Sequence, residues 1–233
     1  MIRVVIFAEG QTERKFIEEI IAPALDPAKI YLQPVLLKTS KDYSGGAVSF
    51  DRFKDNAIKT LKMPSAPILS TVLDLHRLHK RFPASDEAEG KANIHERVRH
   101  LEAALHQAIM EKLPHLHPEC FIPHIQPFEF EGLLFSNVTA LCATKPGWER
   151  FEKELTAIRK GYESPEHING GDETHPSKRL ERILPKYSKT RHGPDAAKTI
   201  TLAVMERECA HFRAWMEKLR RLAGNDSEVR RLG

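Results

Sequence analysis

Acidic side chains follow three apolar segments of this sequence. Glu9 comes directly after one such segment, Asp74 comes directly after a second, and Glu129 and Glu131 follow a third. Glu13 lies one helical turn after Glu9 and can join them. Carboxylate oxygens are hard donors that suit Mg²⁺ or Mn²⁺. If these acids converge, their mutual repulsion raises at least one pKa and favours a bound cation.

The apolar segments that precede the acids are typical of strands in a parallel sheet. The first of them, residues 2–8, is rich in Val and Ile, as expected for a strand that is covered on both faces. The carboxyl ends of parallel strands meet at one edge of a sheet, where open α/β folds bind their ligands. The sequence therefore predicts that the acids gather at one edge. The predicted strands cover residues 2–8, 31–37, 67–73 and 120–125.

Helical periodicity and turn residues predict the remaining organisation. We expect an α/β core over residues 1–143 and a helical C-terminal extension over residues 144–233 that packs on this core. Residues 77–93 are predicted to form a loop downstream of Asp74. Residues 44–46 are predicted to be a flexible break between elements, and residues 225–233 are predicted to be a frayed tail. Helices are predicted after the first strand, at 49–61 and 94–113, from Pro127 onward, and at 147–160, 177–184, 196–205 and 211–222.

Composition narrows the class of protein. Of the 233 residues, 41% are hydrophobic, which is enough for a sizeable core, but no apolar run reaches the roughly 20 residues that span a bilayer. Because the first strand begins at Ile2 and leaves no room for a secretion signal, we expect a cytoplasmic protein without membrane segments. Cys120, Cys142 and Cys209 lack the spacing of a zinc motif or a disulfide framework and are predicted to be buried thiols.

Positive charge is concentrated in the C-terminal part. The net charge of +4 permits nucleic-acid binding without requiring it. Backbone amides and cations near residues 176–179 could contact a phosphate, although no GxxxxGK[ST] motif occurs. A solvated helical face is the alternative explanation for such a basic run. The residues predicted to bind phosphate or nucleic acid are Lys178, Arg179, Lys186 and Lys198.

Three motifs together resemble a family of uncharacterised Toprim-like bacterial proteins that are often encoded beside ABC-type ATPases. The motifs are Ala8-Glu9-Gly10-Gln11-Thr12-Glu13, Pro127-Phe128-Glu129-Phe130-Glu131-Gly132-Leu133-Leu134-Phe135 and Pro176-Ser177-Lys178-Arg179. The likeness spans nearly the whole chain. More broadly, the organisation resembles the Toprim domain of topoisomerases, bacterial primases and overcoming-lysogenization-defect nucleases. Glu9 matches the glutamate after the first strand of that domain, and Asp74 matches the first aspartate of its DxD motif.

The resemblance implies a Toprim-like (Rossmann-like) fold with a mainly parallel sheet flanked by helices, and a Mg²⁺- or Mn²⁺-dependent nuclease that acts on DNA or tRNA. It also implies an effector of an ATPase-linked anti-phage defence system with an ABC-type ATPase as partner. Because His76 stands where the second aspartate of the DxD motif belongs, Glu129 or Glu131 would have to supply the missing oxygen ligand. The implied catalytic residues are Glu9, Asp74, Glu129 and Glu131, and the implied metal ligands are Glu9, Glu13, Asp74 and Glu131.

Other interpretations stay open at this stage. The incomplete DxD motif also fits a non-catalytic module that regulates a partner ABC-type ATPase. Each acid taken singly could be a helix-start or capping residue, and a strand-end aspartate such as Asp74 could accept a phosphoryl group. In the segment Cys209-Ala210-His211 we expect a core cysteine and a surface histidine rather than a metal pair. The sequence leaves the oligomeric state open.

Overall fold

The computed structural model describes residues 1–37, 49–65, 67–169, 171 and 174–224. Five strands form one parallel sheet in the order β2-β1-β3-β4, and β5 pairs with the far end of β3. The predictions at residues 44–46 and 225–233 lie outside the described residues. The strands are β1 (Ile2–Ala8), β2 (Ile30–Leu36), β3 (Ile68–Asp74), β4 (Phe121–Ile122) and β5 (Ile125–Gln126).

Helices cover both faces of this sheet, which confirms the predicted α/β fold with a parallel sheet and a helical C-terminal part. In the described residues, no helix is both long and apolar enough to cross a membrane. The helices are α1 (Gln11–Phe16), α2 (Ala22–Leu25), α3 (Phe50–Leu61), α4 (Ser85–Glu89), α5 (Ile94–Met110), α6 (Val138–Ala143), α7 (Glu152–Lys160), α8 (Pro176–Ile183), α9 (Lys189–Ile200), α10 (Leu202–Glu208) and α11 (Ala210–Arg221).

The strand order places a topological switch point between β1 and β3. The chain leaves β1 toward β2 on one side and returns to β3 on the other, so the connections after β1 and β3 diverge. A crevice at the carboxyl ends of the strands opens where the order reverses, and ligands bind there in open α/β sheets. Glu9 follows β1 and Asp74 ends β3, so the first two acids of the sequence lie at this point.

Alternate residues of each strand belong to different hydrophobic clusters. Val4 and Ile6 face a cluster that includes α1, α9 and α11, whereas Val5 and Phe7 face a cluster that includes α3 and α5. This alternation follows from the twofold period of strand side chains. The C-terminal helices thus bury one face of the sheet, and Trp215 of α11 donates an Nε1–H bond of 3.0 Å to Ser70 Oγ in β3.

The strand predicted at residues 120–125 consists of two short strands, because Pro123 lacks the N–H that a continuous ladder requires. The hydroxyl of Thr71 in β3 takes the place of the backbone hydrogen bonds that are lost between β4 and β5. Thr71 Oγ1 donates to His124 O and accepts from His124 N, each over 2.8 Å. His124 is consequently held between β4 and β5 at a fixed position.

Several predicted boundaries were wrong. The helix predicted from Pro127 onward begins three residues later, as a 3₁₀ helix over residues 130–136, and α4 interrupts the predicted loop of residues 77–93. The helix predicted at 196–205 is two helices, α9 and α10, which meet at Thr201, where φ is +76°. A positive φ cannot continue an α-helix, so the chain changes direction at this residue.

A buried carboxylate fixes the start of α11. Glu166 is fully buried and accepts the N–H groups of His211 (3.0 Å) and Phe212 (2.9 Å) in the first turn of that helix. The unpaired amides at a helix N-terminus need such acceptors, and the helix dipole favours the negative charge. Residue 166 thereby ties the loop before α8 to the last described helix.

Replacing Glu166 by Gln should lower the free energy of unfolding by about 1–3 kcal/mol, because the amide group turns one acceptor into a donor against a buried N–H. Urea unfolding followed by circular dichroism measures the change. The matched control is Glu163→Gln, whose parent side chain is 83% exposed and which should change stability by less than about 0.5 kcal/mol. Equal effects of the two substitutions would contradict the capping role.

Candidate metal centre

Two carboxylates and two peptide N–H groups connect the strand ends at the switch point. Glu9 Oε2 accepts the N–H of Asp74 over 3.2 Å, and Asp74 Oδ1 accepts the N–H of Phe130 over 3.0 Å. The loops that follow β1, β3 and β5 are thereby joined. We name Glu9, Glu13, Asp74, Glu129 and Glu131 the acidic edge, and all except Glu9 are less than 9% exposed.

A turn after β5 brings Glu129 and Glu131 to this edge. Phe128 has φ of +60°, which bulky side chains rarely adopt, and its carbonyl accepts the N–H of His76 over 2.9 Å. Glu129 then continues in extended backbone, and Glu131 lies in the first turn of the 3₁₀ helix of residues 130–136. The structure therefore brings together the acids from all three strand ends.

Lys189 lies between two of these acids. Its Nζ is 3.2 Å from Glu129 Oε2 and 3.4 Å from Glu131 Oε2. Gly193 lies one helical turn later on the same face of α9, and a Cβ there would be 3.2 Å from Phe130 Cε1 and 3.2 Å from Thr12 Cγ2. The absence of a side chain at Gly193 thus lets α9 approach closely enough for Lys189 to reach the acids.

The carboxylate of Glu129 is stabilised by more polar partners than the other acids of the acidic edge. Its Oε1 accepts the N–H of Ser177 in the first turn of α8 and lies 3.1 Å from His175 Nδ1, while Oε2 contacts Lys189. Burial alone would raise the pKa of Glu129, but Lys189, the Ser177 amide and His175 outweigh it and lower that pKa. The ring of His175 also packs against the ring of His76, with centroids 4.5 Å apart.

The other four acids have raised pKa values. Burial raises the pKa of Glu131 to about 8 and that of Glu9 to about 7. Burial and repulsion from the neighbouring carboxylates raise the pKa of Asp74 well above its ordinary value, and burial raises that of Glu13. These four acids are neighbouring, poorly solvated carboxyl groups whose ionised forms repel one another, and Lys189 supplies only part of the compensation for their charge.

Two buried oxygens of the acidic edge have no hydrogen-bond partner. They are Glu9 Oε1, whose nearest cation is Arg77 Nη1 at 3.8 Å, and Glu131 Oε1. A buried carboxylate oxygen without a partner is costly, and a divalent cation with oxygen preference would satisfy it. The donor set therefore fits Mg²⁺ or Mn²⁺, with Glu9, Asp74, Glu131 and Glu13 as the residues that could hold the ion.

The carboxylates are spaced more widely than a bound ion requires. In the described part of the chain, the three candidate ligand atoms found within 4.8 Å of one another belong to Glu102, His124 and His211, away from this edge. Metal binding at the acidic edge would therefore require side-chain movement that brings carboxylate oxygens closer together.

The residues predicted to bind phosphate are not gathered at the acidic edge. Lys178 pairs with Glu181 over 2.9 Å, and Lys198 pairs with Glu19 over 2.5 Å. Arg179 donates to Thr174 O and, over 2.9 Å, to Tyr162 Oη, so it holds the loop before α8. Lys186 is exposed. Their contact with phosphate stays a prediction.

The structure adds residues beside the acids that the motifs did not single out. Lys189 belongs to the basic C-terminal part, but nothing in its spacing distinguishes it from its neighbours. Arg77 lies in the predicted loop of residues 77–93, and His175 comes just before the helix predicted at 177–184. The expectation of a surface histidine at position 211 was wrong. His211 is 8% exposed and its Nε2 lies 2.8 Å from Glu102 Oε1.

The raised pKa of Glu131 predicts a pH-dependent stability. The folded chain binds the proton of the Glu131 carboxyl group more tightly (pKa about 8) than the unfolded chain does (pKa 4.5). The contribution of this proton to the free energy of unfolding is therefore complete below pH 4.5 and is lost as pH rises through about 8. The excess stability of the wild type over Glu131→Gln should therefore fall between pH 5 and pH 9, at up to about 1.4 kcal/mol per unit.

Urea titrations at several pH values, without divalent metal, measure this difference. Asp55→Asn is the matched control, because Asp55 is exposed and should show no such trend. A difference between wild type and Glu131→Gln that does not change with pH would contradict the raised pKa.

Comparison with known proteins identifies the family but no activity. No curated protein and no solved structure matches the chain. The match to a family extends over residues 8–220, from the last residue of β1 to the last turn of α11, and so includes the whole acidic edge. The chain belongs to the family described as "Domain of unknown function (DUF4276)".

Proposed function

We propose that this protein is a metal-dependent phosphodiesterase of the Toprim type that cleaves nucleic acid. The observation that carries the proposal is the convergence of five carboxylates at the switch point, two of which have buried oxygens without partners. Glu9, Asp74 and Glu131 would hold Mg²⁺ or Mn²⁺, with Glu13 beside them. Such an ion polarises a phosphoryl oxygen and lowers the pKa of bound water.

Other side chains at the acidic edge would bind the phosphate and accept a proton from water. Lys189 would neutralise the negative charge of the phosphate, and Arg77, which is 48% exposed, would meet the backbone of the nucleic acid at the rim. Glu13 is better suited than Glu129 to accept a proton from water. Its pKa is raised by burial, whereas that of Glu129 is lowered by Lys189, Ser177 and His175 despite burial.

The proposed substrate is DNA or tRNA, in agreement with the net charge of +4 and the basic segment that includes Lys178, Lys186 and Lys198. The resemblance to Toprim-like proteins encoded beside ABC-type ATPases supports a cytoplasmic effector of anti-phage defence. In that role a partner ATPase would restrain cleavage until infection.

Replacing Glu9 by Gln or Asp74 by Asn should abolish Mn²⁺ binding, because each change removes a charged oxygen ligand from a site built of such ligands. Calorimetric titration of Mn²⁺ into the purified protein measures this without a substrate or partner. Glu18→Gln is the matched control, since Glu18 is exposed and pairs with Arg14, and it should bind Mn²⁺ as the wild type does. Cleavage of DNA and tRNA should be lost in the same two variants.

A wild-type protein that binds no Mn²⁺ at millimolar concentration would overturn the proposal. The same edge would then be a polar network inside a non-catalytic module, and binding to a partner ABC-type ATPase would become the function to test. Cleavage retained by Glu9→Gln would also overturn the assignment of Glu9.

Lys189→Met should tighten Mn²⁺ binding several-fold, because the ammonium group lies within 3.4 Å of two carboxylates and competes with the ion for their charge. Cleavage should nevertheless decrease, since the variant cannot neutralise phosphate. The two effects are measured by calorimetry and by a nuclease assay on the same preparation. Weaker Mn²⁺ binding would show instead that Lys189 holds the acids in their binding geometry.

A further inference from the structure

A second group of potential metal ligands lies where the C-terminal helices meet the sheet. Glu102 comes from α5, His124 from the link between β4 and β5, and His211 from the first turn of α11. We name these three residues the histidine cluster. One ligand atom from each lies within 4.8 Å of the other two, and the residues are 6%, 1% and 8% exposed.

Three nitrogens converge on one oxygen of Glu102. Oε1 accepts the N–H of Ile125 over 2.8 Å and lies 2.8 Å from His211 Nε2 and 3.6 Å from His124 Nδ1. A carboxylate oxygen has two lone pairs, so the third nitrogen exceeds what it can accept, and 3.6 Å is too long for a hydrogen bond. The His124 ring thus faces the carboxylate without a full hydrogen bond to it.

These separations suit ligands of a common metal ion. Metal–nitrogen and metal–oxygen bonds of about 2.0–2.1 Å in a tetrahedral site place two ligand atoms roughly 3.3 Å apart. The observed distances of 2.8 and 3.6 Å from Glu102 Oε1 lie on either side of that value. The rings of His124 and His211 are stacked with centroids 5.0 Å apart, so at least one ring has to turn before both nitrogens can bind one ion.

Outer contacts already hold both histidines in place. His124 Nε2 lies 3.3 Å from Gln126 Oε1, and the backbone of His124 is fixed by Thr71. The backbone N–H of His211 donates to Glu166 Oε2 over 3.0 Å. Metal-ligating histidines commonly contact a partner through their second ring nitrogen, as His124 does with Gln126, and this contact fixes the ring orientation.

The donor types of the cluster also suit a cation. A carboxylate supplies negative charge, and a neutral imidazole offers one ring nitrogen with a free lone pair. The cluster thus combines an oxygen donor with two nitrogen donors in one buried place.

A pocket lies beside one residue of the cluster. It has a volume of about 550 Å³, and Glu102 forms part of its wall together with Phe121, Ile122 and His106. His124 and His211 are not part of this wall, so an ion would approach the cluster from the side of Glu102.

We propose that Glu102, His124 and His211 bind a divalent transition-metal ion of the Zn²⁺ class, separate from the acidic edge. Two imidazoles and one carboxylate select such an ion, whereas the all-oxygen acidic edge selects Mg²⁺ or Mn²⁺. The ion links α5, the β4–β5 connection and α11. It therefore fastens the C-terminal helices to the sheet and does not depend on the proposed nuclease activity.

Titration of Co²⁺ into the chelator-treated wild-type protein tests this site, because Co²⁺ replaces Zn²⁺ and its visible spectrum reports nitrogen ligands and coordination number. We expect one equivalent to give a tetrahedral or five-coordinate spectrum that Zn²⁺ abolishes. Zn²⁺ at about 100 times its Kd should raise the melting temperature by roughly 5–10 °C, and a chelator should reverse the rise.

Matched variants show whether Co²⁺ binds the histidine cluster or other residues. His211→Gln and Glu102→Gln should lose the Co²⁺ spectrum, whereas His106→Gln, which changes a histidine on the pocket wall, and Glu9→Gln, which changes the acidic edge, should keep it. Circular dichroism in chelator verifies that each variant is folded. If either loss variant does not fold, the wild-type spectrum and its retention in Glu9→Gln and His106→Gln decide the question.

The proposal is overturned if the wild type shows neither the Co²⁺ spectrum nor the Zn²⁺-dependent rise in melting temperature. The histidine cluster would then be a hydrogen-bonded network that needs no ion. It is also overturned if Glu9→Gln abolishes the spectrum while folded His211→Gln keeps it, since the nitrogen ligands would then lie elsewhere.

Discussion

The repulsion among buried carboxylates at the switch point is the constraint on which the surrounding structure depends. Glu9, Asp74 and Glu131 are removed from water by the same helices that complete the core, so their charges must be compensated inside the protein. Peptide N–H groups, Lys189 and bound protons each supply part of that compensation. Because these protons are lost at alkaline pH, part of that compensation disappears as pH rises.

The C-terminal helices are part of the same arrangement rather than a separate layer. Lys189 and Ser177 reach the acidic edge from α9 and α8, while Trp215 and His211 of α11 contact the sheet and α5. The C-terminal helices therefore make polar contacts both at the strand ends and on the face of the sheet that they cover. Such buried bonds require one relative position of the two parts, which apolar packing alone specifies less strictly.

The sequence predicted the features that depend on local pattern. Apolar segments indicated β1 and β3, and the acids that follow them were predicted to gather at one edge, because strand direction alone brings those ends together. The pairing of Glu129 with Lys189 joins residues 60 positions apart, and no local pattern encodes it. His211 was wrongly expected at the surface for the same reason, since its partner Glu102 is 109 residues away.

The two groups of buried polar residues differ in a way that separates their roles. The acidic edge has four acids with raised pKa values and two oxygens without partners, so it is poised to gain a ligand at some cost to stability. In the histidine cluster, by contrast, Glu102 Oε1 accepts the N–H of Ile125 and lies 2.8 Å from His211 Nε2. A site under charge repulsion suits an exchangeable ion and chemistry, whereas a site already organised by its own hydrogen bonds suits a permanent structural link.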